Sequence, residues 1–131
     1  MLGVDSSVLI DILRNKAVAG KLQEYSAENL CTSEIVAYEI LFGLYASKQF
    51  SEQRLKEFEA VLDTFTHVFP LERGASVIAA QIAGKLSRLG QTIEHSDALI
   101  AGTLLANGCR KFITKNIKDF ERIKELEVVK F

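Results

Sequence analysis

Short apolar runs alternate with helical patterns along the whole chain, and that alternation leaves few folds open. Leu2–Val4, residues 29–32, residues 67–71, Lys111–Thr114 and residues 127–129 read as brief strands bounded by turn or capping residues. Helical signals fill the intervals, over residues 6–14, 17–26, 33–46, 51–65, 73–89 and 96–107, with a short helix from about Ile117. Leu55, Phe58, Val61, Leu62 and Phe65 form one apolar side of the 51–65 helix. Gly90 and Asn107-Gly108 supply C-terminal stops. Strands separated by helices predict an α/β fold, a parallel five-stranded sheet with helices on both faces.

At 131 residues the chain is expected to be a single domain, residues 1–131. That length buries roughly two-thirds of the unfolded surface. Apolar residues make up 48% and charged residues 25%, so a packed core is expected and a disordered chain is excluded. The formal net charge of -1 gives no general basic footprint for nucleic acid. Arg110, Lys111, Lys115, Lys118, Arg122 and Lys124 do cluster late in the chain, and a solvated helix face is the plain reading of them. Cys31 and Cys109 lack CxxC spacing and sit beside apolar residues, which predicts buried free thiols in a reducing cytoplasm. Asp5 and Asp11 interrupt the first apolar run, so neither a signal peptide nor a membrane span is expected.

Four carboxylates stand where the local pattern calls for an apolar residue or a cap. Asp5 follows a strand and precedes a helix, a position that suits an N-cap and equally a ligand site beyond a strand's carboxyl end. Glu39 shares a helical face with Ile35, Val36, Phe42, Gly43 and Ala46, with Ile40 and Leu41 placed elsewhere. A buried carboxylate there needs a partner. Asp97 heads the stripe Ile100, Ala101, Leu104, Leu105, Gly108, where an acid also favours the helix dipole. Asp119 follows Asn116 by three residues, as in a capping box. Acids drawn together by a fold repel one another and call for a cation, which points to a metal-dependent reaction on a phosphate-containing substrate.

Other chemistries find little support. His95-Ser96-Asp97 has triad residue types, but adjacent residues cannot adopt triad geometry. His67 falls in a strand as a structural residue. There is no His/Cys cluster for zinc, no GxxxxGK[ST] loop and no GxGxxG.

Four segments together carry a family resemblance. Asp5-Ser6-Ser7-Val8-Leu9-Ile10-Asp11 opens the chain, and Thr32-Ser33 leads to Glu39-Ile40 and Gly43. Asp97-Ala98-Leu99-Ile100-Ala101 and Thr114-Lys115-Asn116 with Asp119-Phe120 follow. In this order the sequence resembles the PIN-domain ribonucleases, specifically the small VapC-type toxins of prokaryotic toxin–antitoxin pairs. The resemblance implies a three-layer α/β/α, Rossmann-like fold with the acids at the carboxyl end of the sheet. It implies an endoribonuclease that hydrolyses RNA with Mg²⁺ or Mn²⁺, held by Asp5 and Asp97 directly and by Glu39 and Asp119 directly or through water. Ser7, Thr114 and Asn116 would hydrogen-bond the ligands or the substrate. A VapB-like antitoxin and a homodimer are the implied partners.

Two other classes compete. An aspartate-dependent phosphatase would use Asp5 as nucleophile, but commonly needs a second acid two residues on, where Ser7 stands. A degenerate, non-catalytic adaptor is the other, and the complete set of four acids argues against it. Which RNA is cut is left open by the sequence.

Overall fold

A computed structural model describes residues 1–131. Five strands, β1 (Leu2–Val4), β2 (Leu30–Ser33), β3 (His67–Phe69), β4 (Lys111–Thr114) and β5 (Glu127–Lys130), form one sheet in the order β3-β2-β1-β4-β5. Every neighbouring pair is parallel, with Gly3 opposite both Cys31 and Phe112. The helices are α1 (Ser6–Arg14), α2 (Lys16–Gln23), α3 (Glu34–Ala46), α4 (Glu52–Asp63), α5 (Arg73–Arg88), α6 (His95–Ala106) and α7 (Ile117–Phe120). The expected five-stranded parallel α/β architecture is what forms.

From β1 the chain builds outward to β2 and β3, then returns to the other side of β1 as β4 and β5. The reversal lies between β1 and β4, and ligands of open parallel sheets bind beyond the strand ends at such a point. Asp5 directly follows β1 and Thr114 ends β4, and the Asp5 N–H donates to the Ile113 carbonyl at 3.1 Å, carrying the ladder one residue past β1.

The central strands are buried on both faces, with Leu2, Val4, Phe112 and Ile113 wholly inaccessible. α6 is buried around most of its circumference, at Ala98 and from Ile100 to Leu104. Glycines allow this closeness. A Cβ at Gly3 would lie 2.7 Å from Leu104 Cδ1, and one at Gly102 would lie 2.6 Å from the Ala75 carbonyl of α5. Cys31 and Cys109 are buried free thiols whose sulfurs lie 3.4 Å apart.

Several sequence expectations shift. β3 stops at Phe69, one residue before Pro70, since proline has no N–H for the ladder. α2 ends at Gln23 and turns follow, where residues 17–26 were expected to be helical. On α3 the buried residues are Val36, Ala37 and Ile40, while Phe42 is 62% exposed. The face holding Glu39 is therefore a flank of the buried stripe. An almost wholly apolar helix carries no periodic signal to locate its buried side.

Candidate functional site

The carboxyl end of the sheet gathers the acids, and each is placed by a different element. Asp5 sits at the β1–α1 junction and is only 4% exposed. It occupies the N-cap position of α1, yet its side chain caps nothing. Its Oδ2 instead accepts from Thr114 Oγ1 at 2.6 Å and from Ser7 Oγ at 2.9 Å. Its Oδ1 has only Ser6 Oγ, at 3.5 Å. One oxygen is thus anchored by two hydroxyls, and the other is left for a further partner.

The hydroxyls are fixed in turn. Ser7 Oγ accepts the Lys115 N–H at 3.1 Å, and Thr114 Oγ1 accepts the Asn116 N–H at 2.9 Å. Those two bonds use up the neighbouring backbone donors and aim both O–H groups at Asp5. Thr32, at the end of β2, donates to the Val4 carbonyl at 2.8 Å, and Ser33 caps α3 by accepting the Val36 N–H. The end of the sheet is therefore braced on both sides of Asp5.

Glu39 reaches the site from α3. Its Oε1 is buried and has no hydrogen-bond partner, a costly state for a carboxylate oxygen. Desolvation raises its proton affinity, the Asp5 and Glu94 charges raise it further, and Ser6 offsets part of this. Asp97, in the first turn of α6, is pushed up to about 7. Desolvation is the main cause, followed by the charges of Asp5, Glu94, Glu39 and Asp119. Those mutual effects mark one electrostatic cluster.

Asp119 stands at its edge. It makes the smallest contribution to Asp97, its side chain is 39% exposed, and Arg122 Nη1 lies 3.9 Å from it. The capping-box expectation for Asn116 and Asp119 does not hold. Asn116 caps nothing, and its Nδ2 donates to Asp119 Oδ2 at 3.0 Å. The structure also adds an acid that sequence reading missed. Glu94, exposed at the N-cap position of α6, bears on both Glu39 and Asp97. It lies outside every apolar stripe, and its only sequence signal is that it stands three residues before Asp97.

No three acid, histidine or cysteine side chains stand close enough together to hold a metal ion as they are placed. The donor chemistry nonetheless fits a hard divalent cation. Oxygen is the donor atom throughout, one buried carboxylate oxygen lacks a partner, and desolvation together with the charges of neighbouring acids makes Glu39 and Asp97 hold protons more tightly. A phosphatase arrangement is not built here, because Ser7 fills the position two residues after Asp5 and its hydroxyl is committed to Asp5.

This sheet and site define a known class. The family model for the PIN domain matches residues 3–126, and the chain belongs to that family. Among its relatives is a ribonuclease VapC1 of Rickettsia felis, 31% identical over 129 residues that cover 96% of this chain and 92% of that protein. A tRNA(fMet)-specific endonuclease VapC of Shigella flexneri is 25% identical over 121 residues, covering 92% and 89%. In fold, the chain superposes with a TM-score of 0.87 on a crystal structure of VapBC2 from Rickettsia felis bound to a promoter DNA fragment. That match is 20% identical and covers 99% of this chain and 98% of the other. No helix is long and apolar enough to cross a membrane.

Proposed function

We propose that the chain is a Mg²⁺- or Mn²⁺-dependent endoribonuclease that hydrolyses RNA phosphodiester bonds as the toxin of a toxin–antitoxin pair. The observation that carries the metal is the buried, unpartnered Glu39 Oε1 beside Asp97, both desolvated and both facing the charge of Asp5. Asp5 and Asp97 would hold the cation, with Glu39 and Asp119 beside them. When bound, it supplies positive charge to the phosphate and a water acidic enough to attack. Asp5 can present only Oδ1, because Ser7 and Thr114 hold Oδ2. Glu39 Oε1 is free to take the proton of the attacking water. Asn116 steadies Asp119, whose side chain is 39% exposed.

The partner reading rests on a groove of about 480 Å³ between α1, α3 and α4, lined by Ile10, Leu13, Ile40, Leu44 and Glu39. An apolar helix of an antitoxin would lie there, and an Arg or Lys on it would reach Glu39. Tyr38, Phe42 and Tyr45, each more than 60% exposed on α3, offer a surface for self-association. The expected compartment is the cytoplasm.

The test is cleavage of single-stranded or loop RNA by the purified chain. Cleavage should require Mg²⁺ or Mn²⁺ and be lost in Asp5→Asn. Equal activity in excess EDTA would sink the metal requirement. Harmless expression of the folded chain alone would sink the toxin reading.

A further inference from the structure

The basic residues near the end of the chain do not form one solvated helix face. Residues 110–124 run through β4, α7 and the loop after it, and their cations leave from different elements. Two cavities, of about 430 and 100 Å³, share Ile82, Lys85 and Glu125, so they are parts of one groove. Its apolar floor includes Ile82, Leu86 and Ile123, all buried. Its cations are Lys85, Arg110, Arg122 and Lys124, against a single acid, Glu125. Arg122 closes the end near the site, 3.9 Å from Asp119, with its Nη1 donating to the Thr92 carbonyl at 2.8 Å. Lys85, Arg110 and Lys124 are exposed and form no ion pair, whereas Lys111 and Lys115 do. Between Ile78 and Leu89 the groove follows α5 for about 16 Å at 1.5 Å per residue.

We infer that this groove, whose near end is marked by Arg122 beside Asp119, binds the phosphates of single-stranded RNA on one side of the bond to be cut. The inference rests on the ribonuclease reading. An acid cluster repels a polyanion, so binding has to be supplied by cations set to the side of the site. A net charge of -1 conceals this separation, since the acids gather at the sheet's end and free cations line the groove. An acidic protein segment is the other polyanion such a groove would accept.

Binding of a labelled 20-nucleotide single-stranded RNA, measured by anisotropy in EDTA across a salt series, tests the inference without requiring catalysis. The probe variant combines Lys85→Gln, Arg110→Gln and Lys124→Gln. A control with the same charge change combines Lys16→Gln, Lys48→Gln and Lys56→Gln, all exposed and outside the groove. Thermal unfolding checks that both fold. The groove variant should bind about tenfold more weakly, with a log–log salt slope shallower by about 2, at about 0.7 per lost phosphate contact. The control should bind as the parent does. Equal weakening in the two variants, no binding by the parent, or equally tight binding of a labelled poly-glutamate peptide would overturn the inference. If the parent binds RNA through the groove yet cuts none with Mg²⁺ or Mn²⁺, the groove stands and the ribonuclease reading falls.

Discussion

Asp97→Asn should stabilise the metal-free protein at alkaline pH and leave it unchanged in acid. Asp97 titrates near 7 in the folded chain against an ordinary 3.8. A raised carboxylate favours the fold while it is protonated, and that contribution is lost as pH climbs from about 4 through 7. At 1.36 kcal/mol per pH unit the unscreened difference is about 4 kcal/mol. Asp97 is partly exposed, so solvent screening reduces this to on the order of 1–2 kcal/mol. For a chain of this length that is about 3–10 °C in Tm. Parent and variant are compared by thermal and urea unfolding in EDTA at pH 4 and pH 8. A gain at pH 8 only is expected. With millimolar Mg²⁺ the parent should rise toward the variant, since ligand binding to the native state adds stability. A loss of several kcal/mol in the variant at both pH values would refute the reasoning, because Asp97 would then be a structural residue.

Other outcomes follow from single contacts. Thr114→Val removes the shortest hydrogen bond to Asp5, so it should lower cleavage by at least tenfold and destabilise the fold by about 1–3 kcal/mol, measured by urea unfolding. Gly102→Ala should destabilise by about 1–3 kcal/mol despite alanine's better helix propensity, because its Cβ would strike Ala75 and Ala79 backbone atoms that cannot swing aside. Gly84→Ala, whose Cβ meets only the Arg88 side chain at 3.8 Å, should instead gain about 0.5–1 kcal/mol in the same assay. Ser33→Ala, losing the cap to Val36, should cost about 1 kcal/mol.

The alternation of β and α segments was enough to read the parallel sheet, since each strand is a short apolar run between clear stops. Glu39 was legible as a candidate because it breaks an apolar face, whereas Asp5, Asp97 and Asp119 hold cap-like positions and stood out only through the four motif segments taken together. What was not legible depends on contacts between distant segments. Glu94 breaks no pattern, and only the turn into α6 brings it near Glu39 and Asp97. The buried side of α3 was misplaced because Ile35, Ile40, Leu41 and Phe42 surround the helix, and the neighbours in space decide which of them is covered. The groove between α5 and the loop after α7 joins residues about forty positions apart in sequence, and no local window contains both.

The two kinds of carboxylate in this site have opposite energetics, and that division explains why the fold tolerates the cluster at all. Asp5 is nearly inaccessible, but its charge is met by Ser7 and Thr114, whose hydroxyls are set by the Lys115 and Asn116 N–H groups. Its position is fixed without a cation. Glu39 has only Ser6 to offset its desolvation, Asp97 has no donor that does so, and each proton they retain relieves repulsion from the other acids. A cation arriving beside Asp5 Oδ1 would meet one prepared ligand and displace protons from the rest. Uptake of the cation should therefore release protons near pH 7, detectable as buffer-dependent heat in calorimetry. The release should fall in Asp97→Asn and persist in Gly84→Ala, whose added methyl meets only the Arg88 side chain. Heat independent of buffer in the parent would mean that Asp97 is already ionised, and the division between anchored and titrating acids would fail.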